Sequence, residues 1–387
     1  MLKFKELFRD TTYRKVLVFF IIIKVLIFSI GVLGQLVPED ITHRQHRSDN
    51  LFLNPWAQHD AGAYIDIAKN GYNSNFNEGT GNYSWYPLYP FLIWLLGFMG
   101  YDLAAFLIAN VASFLAITVL YIFVKDKLNE KVSYRTIFYL LLFPTAYFFT
   151  AMYTESLFLL LSLLCFWYAK EGSYWKAGIF GFLAALTRAQ GAILFFPVLY
   201  IYLDRIQPNG ERSSPMHWFK IRKMRVNIIP VFLIPLGILV FMLYHHFAVG
   251  NAFIQFQTQQ QFFEPVLKSA MDAINGAITS KVYFIFSFSV WAVFLALSYY
   301  AYKILGKEFG IYMVISLLMP LFTSNFFGIT RFVLILFPGF MVLGKFADEN
   351  RRFRIILSCI YVVFVIMLVL FTIRHVNEDI YLQVKYF

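Results

Sequence analysis

The chain has 387 residues, of which 59% are hydrophobic, 20% aromatic and only 14% charged, with a mean hydropathy of +0.63. A soluble domain carries roughly 25% charged residues, so the composition excludes one and predicts an integral membrane protein. The net charge of +11 follows from loop placement and attraction to anionic lipid, and no basic and aromatic nucleic-acid motif accompanies it.

At the N-terminus the basic leader "MLKFKELFRDTTYRK" precedes an apolar run over 16–37, long enough to cross a bilayer and without a small-residue cleavage site. It reads as an uncleaved signal anchor. Lys24 lies inside this run, and its stem is long enough to snorkel toward the cytoplasmic face. Further spans are predicted at 103–124, 134–150, 155–169, 175–188, 190–204, 227–248, 283–302, 309–325, 331–346 and 354–373, eleven in all. The run "WYPLYPFLIWLLGFMG" is also apolar, but two prolines, a closing glycine and its limited length predict an interfacial or re-entrant helix. Cys165 and Cys359 both fall in apolar runs and offer neither a disulfide framework nor metal-site spacing.

With a cytoplasmic N-terminus and eleven spans, "KDKLNEKVSYR", "KEGSYWK", the basic loop 205–226, "KILGKE" and "DENRRFR" all fall in the cytoplasm, as the positive-inside rule asks. Counting the Pro-rich run as a span would put the most basic loop outside. The prediction is therefore an all-α, polytopic single domain over 1–387. Its extracytoplasmic first segment, 38–101, carries short juxtamembrane helices.

The same assignment collects polar features on the outer face: the first loop and the turns "AMYTES", "TRAQG" and "SNFFGITR". The first loop holds Glu39, Asp40, Asp49, Asp60, Asp66 and Glu78 against Arg44, Arg47 and Lys69. Within it, "WAQHDAGAYIDIAKNGY" predicts a helix with Gly71 as its C-cap. At 100° per residue Asp60 shares a face with Ala63, Tyr64 and Ile67, whereas Asp66 points elsewhere and reads as solvated beside Lys69 and Asn70. Asp60 is thus the carboxylate aimed at a membrane-side cleft. The competing account is a first-turn acid favoured by the helix dipole.

Asp60-Ala61-Gly62-Ala63-Tyr64, then Ile67-Ala68 and Gly71-Tyr72, resembles the "WDxxxYxxIAxxGY" segment of the GPI mannosyltransferase II family, called PIG-V-like, and in particular its bacterial relatives among the GT-C membrane glycosyltransferases. Trp85-Tyr86-Pro87-Leu88-Tyr89-Pro90 resembles that family's "FYPLYP", Tyr153-Thr154-Glu155-Ser156 its "YTES", and Arg188 with Gly191 its "R-x-x-G" turn. Arg331 with Phe337-Pro338 resembles a late region. The resemblance covers nearly the whole chain in order. It departs at His59, where the family has Trp, and at Tyr64, where eukaryotic members carry His.

The resemblance implies a GT-C-type enzyme that moves a sugar, mannose, from a polyprenyl-phosphate donor to an extracytoplasmic hydroxyl of a glycan, glycolipid or protein. Asp60 would be the general base. Phosphate is a good leaving group, so one carboxylate suffices, worth typically about 10²–10⁴-fold. Arg331 and Arg188 suit the departing phosphate, although an arginine at a helix end reads by itself as an interface anchor. Glu155 reads equally as a helix-start acid and as a site residue that orients substrate or joins a metal site. Gln190, Tyr64 and Tyr153 complete the substrate-binding set.

Trp85, Tyr86, Tyr89 and Trp94 read as a groove lining for sugar or prenyl chain, or as an interfacial aromatic belt. Gln255, Gln257 and Gln259 to Gln261 suit sugar hydroxyls, and equally a polar amphipathic loop. The sequence requires no cofactor. His43, His46 and His59 lack zinc-site spacing, while a carboxylate-bound divalent cation is compatible with the residues. Low cysteine content and the lack of an evident retention signal point to a bacterial plasma membrane. Two rivals remain: a lipid-sugar transporter or flippase, which calls for paired midplane charges and repeats, and a non-catalytic membrane partner subunit.

Overall fold

The structure, a computed structural model, describes residue 7 and residues 9–36, 48–75, 81–206, 226–262, 278–322 and 328–377. Most of the basic loop 205–226, together with His43, His46 and part of "SNFFGITR", lies outside the described residues. Among the described residues every regular element is helical.

The chain runs through α1 (Thr11–Gly34), α2 (Asp60–Asn70), α3 (Leu88–Leu95), α4 (Tyr101–Lys127), α5 (Glu130–Leu141), α6 (Glu155–Glu171), α7 (Tyr174–Ala185) and α8 (Phe195–Ile206). It continues through α9 (Leu233–Val249), α10 (Ile254–Phe262), α11 (Ile278–Tyr300), α12 (Lys307–Phe322), the short α13 (Ile329–Phe332), α14 (Phe337–Glu349) and α15 (Arg351–Val376). Among the described residues six helical segments are long and apolar enough to cross a membrane: Thr11–Gly34, Tyr101–Lys127, Ala189–Ile206, Val226–Val249, Lys281–Leu305 and Arg351–Val376. A seventh is gained if Ile329–Ile335 and Phe337–Glu349, bent by 75°, count as one. The remaining predicted spans form shorter helices, of 12 residues in α5 and α7, 17 in α6 and 16 in α12. The Pro-rich run forms α3, of only 8 residues, as expected of a segment that does not cross.

α1 and α4 pack antiparallel. Phe28 meets Phe106, Phe20 meets Phe114, and Tyr13 bonds Thr118 at 2.9 Å. At the far end Asp10 caps α1 and accepts from Tyr121 at 2.6 Å and Lys125 at 2.7 Å. Burial alone would raise the Asp10 pKa, but these bonds outweigh it and hold the carboxyl below its usual range. At the opposite end the segment from residue 48 to α4 folds back into the bundle. The Trp56 ring fills the space that a side chain at Gly31 would need, and the Trp56 carbonyl accepts from Met152 N–H at 3.1 Å. Tyr89 O–H donates to the Ala105 carbonyl at 2.8 Å, which seats α3 against α4. This first-loop end of the bundle carries the site.

Candidate functional site

Four charged side chains from four separate stretches converge here. Arg331 Nη1 donates to Asp60 Oδ2 at 2.6 Å, and Arg331 Nε donates to Glu155 Oε1. Arg188 Nη1 donates to the same Glu155 oxygen and to Thr154 Oγ1 at 3.1 Å. Arg188 Nε reaches Gln190 Oε1 at 3.4 Å. The four are only 9% (Asp60), 0% (Glu155), 9% (Arg188) and 7% (Arg331) exposed. Two carboxylates and two guanidiniums cancel in charge, which is what allows them to be buried at all.

The sequence positions each member. Asp60 opens α2 in its first turn. Just before it His59 has φ 53° and ψ −120°, the one positive φ outside glycine among the described residues. Such a conformation costs about 1–3 kcal/mol and persists only where both sides are held. Here the Gln58 carbonyl accepts from Tyr153 O–H at 3.0 Å and Gln58 Nε2 donates to the Asn54 carbonyl at 2.7 Å, while α2 begins directly after. Tyr64, one turn beyond Asp60, is buried and stacks edge-on with Tyr89 at 5.1 Å. Burial first, and then the Asp60 charge, push its phenol up to about 12, so it stays protonated as a neutral neighbour of the cluster.

The "YTES" turn has a task for every residue. Tyr153 lies 4.5 Å and Phe148 4.9 Å from the Arg331 guanidinium, and the two rings, packed edge to face 5.1 Å apart, replace water on one side of the cation. Thr154 and Glu155 hold Arg188, and Ser156 Oγ donates to the Phe149 carbonyl at 3.2 Å. In the "R-x-x-G" turn, the space a side chain at Gly191 would occupy comes within 2.2 Å of the α7 backbone at Ala184 and Ala185, so only glycine lets the turn lie flat against the helix. Arg331 is carried on α13, which Thr145 Oγ1 fastens by donating to the Thr330 carbonyl at 2.7 Å. Pro338 in the first turn of α14 makes the break that follows.

Several expectations change. Arg188 and Arg331 are buried and ion-paired, which overturns the interface-anchor account. Glu155 is fully enclosed; one oxygen gathers both arginines and the other, Oε2, has no hydrogen-bond partner. Asp66 is half-buried and accepts from Asn70 at 2.7 Å, Asn82 at 2.8 Å and Asn73 at 3.1 Å, so it organises the loop instead of standing in solvent. The aromatic run divides: Tyr86 and Tyr89 are buried, Trp85 is half-buried and Trp94 is exposed. The glutamine-rich stretch forms α10, and the buried Gln255 amide has no hydrogen-bond partner. Phe148, Thr154 and Gln58 serve the cluster without having been singled out; Thr154 and Gln58 lie inside quoted stretches, whereas Phe148 carried no signal. Among the described residues no group of three or more His, Cys, Asp or Glu is arranged to hold a metal ion.

An apolar groove of about 480 Å³ lies between α3 and α9, lined among others by Ile67, Lys69, Leu186 and Phe241 and by none of the four charged residues of the cluster. Ile67 stands two turns along α2 from Asp60, and Leu186 closely precedes Arg188. The rim residues Phe91, Trp94 and Tyr244 are exposed. In comparisons with known proteins, the chain matches no family model and no curated protein.

Proposed function

We propose that the protein is a GT-C-type membrane glycosyltransferase of eleven membrane segments. In this reading it moves a sugar, mannose, from a polyprenyl-phosphate donor to an acceptor hydroxyl on the outer side of the membrane. The observation that carries this is the convergence of Asp60, Glu155, Arg188 and Arg331 in one buried cluster; an apolar groove lined by Ile67, on the same helix as Asp60, and by Leu186, two residues before Arg188, supports it. A lipid phosphate needs both an arginine fork and a hydrocarbon channel, and transfer to a hydroxyl needs one carboxylate.

The step balances. Asp60 takes the acceptor proton as the acceptor oxygen bonds to the anomeric carbon. The bond from that carbon to the phosphate oxygen breaks, and polyprenyl phosphate leaves with the electron pair toward Arg188 and Arg331. Arg331 holds Asp60 in the resting cluster; a donor phosphate that draws this arginine onto itself frees the Asp60 carboxylate to act as base. Donor therefore binds before acceptor.

The test uses purified protein in lipid nanodiscs, short-chain polyprenyl-phosphate mannose and a panel of glycan, glycolipid and peptide acceptors. Asp60→Asn, at matched folding, is expected to lower turnover by about 10²–10⁴-fold. Equal turnover in both proteins removes Asp60 as base, and no transfer from any donor overturns the reading.

A further inference from the structure

Lys24 lies inside a membrane-length helix, where an ionisable side chain is costly and is retained for a reason. It does not snorkel to a surface. Its Nζ donates to Asn110 Oδ1 at 2.9 Å and to the Phe149 carbonyl, and among the described residues no carboxylate pairs with it. At 1.5 Å per residue, Lys24 is about 15 Å along α1 from its Gly34 end and Asn110 about 14 Å along α4 from its Tyr101 end. The junction is therefore near mid-depth of both helices.

What reaches this depth is an irregular turn. Between α5 and α6 the chain forms a 3₁₀ helix over Ala146–Phe149 and then runs without helical bonding to Thr154. Carbonyls at such a break have no water to turn to and need donors from the protein. The Phe149 carbonyl takes Lys24. The Thr150 carbonyl takes Asn110 Nδ2 at 3.1 Å. Lys24 acts twice, because its bond to Asn110 Oδ1, together with the Asn110 Nδ2 bond to the Phe106 carbonyl at 2.9 Å, holds the amide's N–H side toward Thr150.

The same turn supplies Phe148 and Tyr153, which stack on Arg331, and Met152 and Tyr153, which bond the Trp56 and Gln58 carbonyls just ahead of Asp60. We infer that Lys24, with Asn110, is a positioning residue: a mid-membrane brace that fixes the turn setting Arg331 and Asp60 in register. A methionine would fill the same volume but leave the Phe149 carbonyl with only Ser156 Oγ, at 3.2 Å, and remove the Lys24 hold on the Asn110 amide that serves Thr150. The consequence for turnover rests on the proposed glycosyl transfer; the brace itself does not.

The experiment compares wild type, Lys24→Met and Lys24→Arg in nanodiscs, reading amide hydrogen exchange over the chain and phenylglyoxal modification of Arg331 by peptide mass spectrometry. In Lys24→Met, exchange within 146–153 and modification of Arg331 are both expected to rise about tenfold, with α15 unchanged, while Lys24→Arg stays near wild type. Asn110→Leu, which removes the second donor, loosens the turn from Thr150 to Tyr153 by the same measure and serves if Lys24→Met does not fold. Wild-type rates for both the turn and Arg331, or loosening spread evenly over the molecule, overturn the inference. Polyprenyl phosphate titrated into the same samples is expected to bind wild type and to bind Lys24→Met about tenfold more weakly. Its failure to bind wild type counts against the glycosyltransferase reading, and the exchange data still decide Lys24.

Discussion

Glu155 illustrates how one buried atom can govern a site. Both arginines meet on its Oε1, so a carboxylate that no solvent reaches lies between them and screens their mutual repulsion, with Asp60 adding a second negative charge on Arg331. Removing one partner of a buried pair leaves an uncompensated charge, at a cost of about 3–5 kcal/mol. Glu155→Gln is expected to lower the thermal unfolding midpoint more than Asp60→Asn does. Adding Arg188→Gln should restore part of the loss, a coupling that a double-mutant cycle in nanodiscs reads directly. A purely additive result would mean that the two side chains do not act as a unit. Asp60 was legible in the sequence, because helix geometry alone puts it on one face with Tyr64. Its pairing with Arg331 was not: Arg331, singled out for the donor phosphate, is 271 positions away, and nothing local marks which arginine a carboxylate will meet. The strained His59 was equally hidden, since its conformation is imposed by contacts from both sides.

Elements were legible as apolar runs, and each predicted span the structure describes contains helix, though that over 134–150 is α-helical only to Leu141 and then breaks into turn and 3₁₀ helix. Their lengths were not, because hydropathy reports which stretches avoid water and says little about where a helix breaks. α5 stops at Leu141 and α6 starts at Glu155, leaving between them the turn that Lys24 and Asn110 satisfy. That the break could lie so deep depends on donors from two other helices. Glycines were legible as motif letters but not as spacers. At Gly191 the prediction is specific: Gly191→Ala pushes the turn off α7, because the obstacle is backbone at 2.2 Å and cannot swing aside. Arg188 then withdraws from Glu155. The expected outcome is a lower unfolding midpoint together with faster phenylglyoxal modification of Arg188, and unchanged values for both would remove the packing argument.

At the scale of the whole molecule, the proposed orientation puts the cluster on the side away from the cytoplasm. Two engineered cysteines test it. Asn70→Cys stands exposed at the end of α2, on the first-loop side, and Glu171→Cys stands exposed at the far end of α6. In intact cells a membrane-impermeant maleimide is expected to label only the first, with Glu171→Cys labelled after permeabilisation; the reverse pattern would place the site in the cytoplasm.

The cancellation of charge within the cluster also bears on descent. A lineage that lost this cluster could not discard its four ionised residues one at a time without stranding an unpaired buried charge at every odd step. It would shed them as opposite pairs, so a relative lacking Asp60 should lack an arginine as well. Ancestral reconstruction along such a branch would find intermediates with one acid and one base already gone, and few with an odd number.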